Sequence, residues 1–168
     1  FHMGNTPAVE AKAPGQGEFE GVRYMHIMGC SLMSSPVFAR EILKAMRMLA
    51  GEGSKISFDP NIRKELFTDA SIHEVIREVM EHTSIFLPGV EELLLITGKE
   101  NVEEAVKTCF TYPRMEILVL KNGSKGSRIY QRSSVEEVGV YQVEQADATG
   151  AGDCFDGAFL AGLVQGKS

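Results

Sequence analysis

Residues 145–165 read Gln-Ala-Asp-Ala-Thr-Gly-Ala-Gly-Asp-Cys-Phe-Asp-Gly-Ala-Phe-Leu-Ala-Gly-Leu-Val-Gln. Thr149, Gly150, Ala151 and Gly152 are small and lead to an acid, Asp153, after which Phe155, Ala158, Phe159 and Leu163 recur at helical spacing. The pattern predicts a tight loop feeding the first turn of a buried helix. A helix start carries unpaired backbone N–H groups and the positive end of the dipole. Glycines let that backbone approach a ligand closely, so a phosphate is the natural guest. Asp153 would repel a bound phosphate, which makes chemical sense if its carboxylate takes a proton from an attacking hydroxyl. The plain alternative is a glycine-rich helix cap in which Asp153 only offsets the dipole.

Outward from this stretch, strand and helix patterns alternate. Residues 24–29 form a short apolar run ending in glycine, a candidate buried parallel strand. Ser34 or Ser35 before Pro36 starts a helix with Phe38, Ile42, Ala45, Met46 and Leu49 on one face, stopped at residues 51–53. Residues 55–59 are the next strand, followed by Pro60-Asn61-Ile62-Arg63. Asp69 can cap a helix carrying Ile72, Val75, Ile76, Val79 and Met80, and residues 84–87 form a strand closed by Pro88. Gly89 opens a helix to Gly98 with Glu91 and Glu92 in its first turn, and residues 101–110 form another short helix. Residues 115–121 are a strand, residues 122–126 a hairpin turn into residues 127–130, and residues 135–143 a last strand. Residues 1–22 lack periodicity and read as loop. The order predicts an α/β fold of three layers, with a mostly parallel sheet covered by helices on both faces.

Asp147-Ala148-Thr149-Gly150-Ala151-Gly152-Asp153 resembles the signature of the ribokinase-like (PfkB-type) carbohydrate kinases. The resemblance implies that the backbone of Gly150, Ala151, Gly152 and Asp153 forms an anion hole for a transferred phosphoryl group and that Asp153 is the catalytic base. Asp147 would hold the loop's N–H groups, at a position that in some relatives lies by a monovalent cation. Asp59-Pro60-Asn61-Ile62-Arg63 resembles the segment of fructokinases and 2-keto-3-deoxygluconate kinases whose Arg reaches the active site. Asn61 and Arg63 are therefore expected at substrate or phosphate, the Arg offering a planar two-point grip. Arg63 could equally pair with Glu65 or Asp59 on the surface. Pro88-Gly89-Val90-Glu91-Glu92 resembles the family's Pro-Asn-x-x-Glu, which assigns Glu92 to Mg²⁺ through water, with Gly89 standing where the family has Asn. The turn at residues 121–126 resembles the family's loop along the ATP phosphates, implicating Lys121, Gly123, Ser124 and Gly126, with Thr149, in nucleotide binding.

The chain has 168 residues, 43% of them hydrophobic, and 17 Lys+Arg against 23 Asp+Glu give a net charge of −6. That acidic balance without a basic cluster argues against a nucleic-acid surface, and no apolar run is long enough for a membrane partner. Three widely spaced cysteines, Cys30, Cys109 and Cys154, suggest neither a disulfide framework nor zinc, and fit a reducing cytoplasm. Cys154 reads as a small buried neighbour of the base rather than a nucleophile. Gly166-Lys167-Ser168 imitates the end of a Walker A loop, but Ala161 stands where that motif needs glycine and a helix precedes it.

The expected molecule is the C-terminal, nucleotide-binding part of a single ribokinase-like domain, residues 1–168, because ribokinase-like enzymes are roughly twice this length. Its expected activity is ATP- and Mg²⁺-dependent phosphorylation of a sugar or keto-sugar acid of the 2-keto-3-deoxygluconate, fructose or tagatose type. A monovalent cation and a full-length homodimer stay open. Two rivals stand beside this: a non-catalytic nucleotide- or sugar-phosphate-binding module on the same scaffold, and a piece inert without the strands that would complete its sheet.

Overall fold

Tyr24–Met28 forms β1, and the chain then turns through α1, Gly29–Ser34, and α2, Pro36–Gly51, before returning as β2, Lys55–Asp59. The computed structural model describes residues 10–15, 17–62, 70–144 and 146–167. Two more helical passages follow: α3, Ala70–His82, to β3, Thr83–Phe86, and α4, Val90–Thr97, with α5, Val102–Cys109, to β4, Ile117–Lys121. β5, Ser127–Tyr130, and β6, Val135–Val138, complete a six-stranded sheet in the order β1-β2-β3-β4-β5-β6. β1 to β4 are mutually parallel, whereas β4, β5 and β6 pair antiparallel. Helices cover both faces of this mixed sheet, as the alternating pattern predicted. The chain divides into two compact units, residues 1–138 and residues 139–168.

The parallel strands enclose an apolar core, with Ser57, Asp59, Thr83 and Ser84 buried among it. Phe58 and Phe86 are wholly buried on adjacent strands, their rings stacked 5.8 Å apart, and Met46, Ile56, Val79, Met80 and Leu118 close around them. Helix starts follow their caps: Ser35 Oγ accepts from the Val37 amide with Pro36 in the first turn, and Asn101 Oδ1 accepts from the Glu104 amide at 2.9 Å. Burial pushes the Cys109 thiol up to about 12, so it is a packing group rather than a nucleophile.

Several boundaries differ from the sequence pattern. α1 was not anticipated, because its six residues are too few to show a period. The last strand ends at Val138, not at residue 143, since Gly139 interrupts the alternation and Tyr141 and Val143 are exposed. In the second unit α6, Ala151–Val164, begins two residues before Asp153, so Ala151 and Gly152 belong to its first turn. That helix is not buried as expected: Phe155, Phe159 and Leu163 are half-exposed and Cys154 is exposed. A 30-residue unit with one helix has too little chain of its own to enclose it. Its end is a helix cap, with the Gly166 amide donating to Leu163 O and the Lys167 amide to Gly162 O, so the Walker-like tail is a Schellman turn.

Candidate active site

Open α/β sheets hold ligands at the carboxyl ends of their parallel strands, and in the first unit the polar groups gather there. Asp59 ends β2 and is only 4% exposed. Its Oδ1 accepts from the Asn61 amide at 3.2 Å, and its Oδ2 lies 3.2 Å from Nζ of Lys121, which ends β4. The pair therefore reaches across the end of β3. Burying a carboxylate is costly without a counter-charge, and Lys121 supplies it. Asn61 is, among the described residues, the one non-glycine with positive φ, 38°. Asparagine tolerates that conformation better than most side chains, and the Asp59 carboxylate holds it there. Pro60 sits tight on the β1–α1 junction: a Cβ on Gly29 would lie 1.9 Å from Pro60 O.

Glu92, in the first turn of α4, turns its carboxylate back over the helix start. Oε2 accepts from the Gly89 amide at 2.7 Å and Oε1 from the Ile62 amide at 2.8 Å. Across from it, β4 runs into a single 3₁₀ turn, Gly123–Lys125, closed by the Asn122 amide on Gly126 O. Gly123 and Gly126 take positive φ of 54° and 91°. The Lys121 amide donates to Pro88 O at 2.8 Å, which sets this turn beside the start of α4. Between them lies an open groove of about 500 Å³, lined by residues 89–92 and residues 121–125. Lys121, Gly123, Ser124 and Glu92 are thus brought together. Gly126 closes the turn behind the groove, and Arg63, with Glu65 and Asp69, lies outside the described residues.

The loop before α6 is built locally. Asp147 Oδ1 accepts from both the amide and the hydroxyl of Thr149 at 2.8 Å. These two donors hold the Asp147 carboxyl below its ordinary value. Gly150 caps the helix with φ 76°, a left-handed conformation that a side chain would strain. The Ala151 amide closes the turn onto Ala148 O at 3.1 Å, and the first helical bond runs from the Cys154 amide to Gly150 O. The amides of Gly152 and Asp153 fall ahead of that bond, in the turn where helix donors lack helical partners. Asp153 is exposed rather than turned into the interior. The arrangement offers donors to an anion, with a carboxylate at the same helix end.

No three His, Cys, Asp or Glu side chains among the described residues converge on a metal position. Mg²⁺ keeps much of its water and binds chiefly through phosphates and one or two carboxylates. Glu92 could meet such an ion only through water, on lone pairs left by its two amide bonds. Asp59–Lys121 is the pairing that sequence reading missed. Nothing local announces it, since it depends on the register of two strands separated by a third. No helix among the described residues is long and apolar enough to cross a membrane.

Comparison with known proteins gives the family. Residues 4–168 match the model of the pfkB family carbohydrate kinases. Fructokinase-1 of Oryza sativa subsp. japonica is 33% identical over 144 residues, 85% of this chain and 44% of its own length. Cytidine kinase of Thermococcus kodakarensis is 31% identical over 167 residues, 98% of this chain and 54% of its own. Among solved structures, a ribokinase II of E. coli in complex with ATP and Mg²⁺ superposes with a TM-score of 0.83 at 33% identity, over 88% of this chain and 47% of that one. A Vibrio cholerae fructokinase double mutant with fructose, ADP and potassium bound gives 0.77 at 25% identity, over 88% and 46%. The chain spans about half the length of the relatives it matches.

Proposed function

Because the chain belongs to the pfkB family of carbohydrate kinases, we propose that the full-length protein carrying it transfers the γ-phosphoryl group of ATP to a hydroxyl of a sugar or keto-sugar acid. The supporting observation is the start of α6, where the Gly152 and Asp153 amides lie ahead of the first helical bond and the Asp153 carboxylate is exposed. In this reading the Asp153 carboxylate accepts the proton of the attacking hydroxyl as its oxygen bonds to the γ-phosphorus. The bond from phosphorus to the bridging oxygen breaks, and ADP leaves. The amides of Gly150, Gly152 and Asp153 stabilise charge on the transferring oxygens, while that of Ala151, turned onto Ala148 O, shapes the loop. Asp147 and Thr149 keep the loop in the conformation that presents those donors. Bound Mg²⁺ would neutralise charge on the nucleotide's phosphates. Lys121, Gly123 and Ser124 line the groove assigned to those phosphates, with Gly126 setting the turn.

The acceptor is a ketose or keto-sugar acid. The Asp59-Pro60-Asn61-Ile62-Arg63 segment supports this choice, as does the similarity to a relative named as a fructokinase. Asn61 and Arg63 are the residues assigned to the acceptor or its phosphate. Three free cysteines fit a reducing compartment, the cytoplasm. The rival reading, a binding module without turnover, draws on Gly89 standing in place of the family's Asn. Incubating full-length protein with ATP, Mg²⁺ and a panel of fructose, tagatose and 2-keto-3-deoxygluconate separates the two. ADP release that depends on one acceptor supports the kinase, and nucleotide binding with no release under any acceptor supports the module.

A further inference from the structure

The geometry points to Glu92 as a positioning residue: its carboxylate is a clip that fastens the loop of residues 59–62 to the start of α4, and Gly89 is the residue that leaves room for it. Two observations carry this independently. The first is the pair of bonds, one to the Gly89 amide at 2.7 Å and one, from 30 residues away, to the Ile62 amide at 2.8 Å. A carboxylate that accepts two backbone N–H groups makes charge-assisted bonds, stronger than neutral ones. The second is Gly89 itself. Its φ of −76° and ψ of 166° are open to any residue, so backbone freedom is not why glycine stands there. A Cβ at that position would lie 3.3 Å from Glu92 Oε2, tight enough to shift the carboxylate by a few tenths of an ångström. Glycine brings no side-chain cap to α4, and Glu92, from the third helical position, takes up the Gly89 amide.

The loop it holds is already a constrained one. Asn61 sits at φ 38° with its amide on Asp59, and Ile62 is the next residue along. Fixing the Ile62 amide therefore fixes the direction in which the chain leaves Asn61. Glu92 would act on acceptor binding through Asn61, with lone pairs left over for a water of the cation.

The test is amide hydrogen exchange by NMR on full-length protein, with kinetics on the same samples. In Glu92→Ala the Ile62 and Gly89 amides should exchange about tenfold faster or more, the scale of losing a bond to a charged group, while Phe58 and Phe86 keep their protection. Glu92→Gln, which keeps one carbonyl acceptor, should release at least one of the two. The acceptor KM should rise about tenfold while the magnesium half-saturation moves less than about twofold. Unchanged Ile62 exchange in Glu92→Ala overturns the clip, as does a tenfold magnesium shift with both amides still protected. Should Glu92→Ala and Glu92→Gln lose core protection as well, Glu92→Asp decides, because it retains the charge on a stem one methylene shorter, too short to span both amides. Faster Ile62 exchange there supports the clip, and an unchanged rate overturns it. Only the kinetic arm rests on the kinase reading: an unsubstituted protein without turnover would defeat that reading and leave the exchange result standing.

Discussion

The ends of β2 and β4 and the loop before α6 are both rich in polar groups, yet they are held in opposite ways. At the strand ends the partners are far apart in sequence and partly or wholly withdrawn from water: Lys121 meets Asp59, which is 4% exposed, and half-buried Glu92 meets Ile62 from 30 residues away. Before α6 every bond is local and wet, Asp147 reaching Thr149 two residues on and Ala151 reaching Ala148. Long-range buried contacts are set by the fold and couple to its stability. Short-range exposed ones are set by the turn, so they can be broken with the rest of the molecule intact. The first region should therefore answer to substitution with lost stability, and the second with altered loop behaviour and lost chemistry.

Breaking the pair at the strand ends should have the largest effect on stability. Lys121→Ala leaves Asp59 as a buried carboxylate without its counter-charge, at a cost of about 3 kcal/mol measurable by chemical denaturation. A loss below about 0.5 kcal/mol would show that the pair is effectively solvated, erasing the contrast. In the loop, Gly150→Ala meets no atom within 4 Å, so its cost is conformational only, about 1–2 kcal/mol from a φ of 76°. A variant as stable as the parent would mean that the loop readily adopts another shape. The smallest effect is that of pH on the Asp147 turn. Its folded carboxyl is lowered by the Thr149 amide and hydroxyl, so the turn is fully present above the ordinary value of 3.8 and is lost as pH falls through the lowered folded value. The Thr149 amide resonance should hold steady from neutral pH down to about 4 and move only below it. A midpoint above that value would contradict the hydrogen bonding.

What was legible in the sequence follows the same division. Local signals were read well: Ser35 with Pro36, the Gly123 and Gly126 turn and the Asp147 hold on its loop all depend on neighbours within a few residues. The strand and helix alternation gave the parallel β1 to β4 because short apolar runs joined by helical passages pair side by side in one sheet. Asp59–Lys121 was not legible, since it depends on the register of two strands separated by a third. Glu92 was legible in position and not in its long-range bond: its place in the first turn of α4 suits a dipole or a metal water, and nothing local announces the approach of the Ile62 amide. The half-exposure of α6 was missed because helical spacing reports which residues share a face, not how much protein covers it.

The central claim is that Asp153 takes up the proton of the attacking alcohol while amides at the same helix end bind the phosphoryl group. Comparing Asp153→Asn with the parent in full-length protein tests it, reading acceptor-dependent ADP release against ATP affinity in one preparation. Turnover lower by ~10²–10⁴-fold with ATP binding within about threefold is the predicted result. Turnover near that of the parent would contradict it.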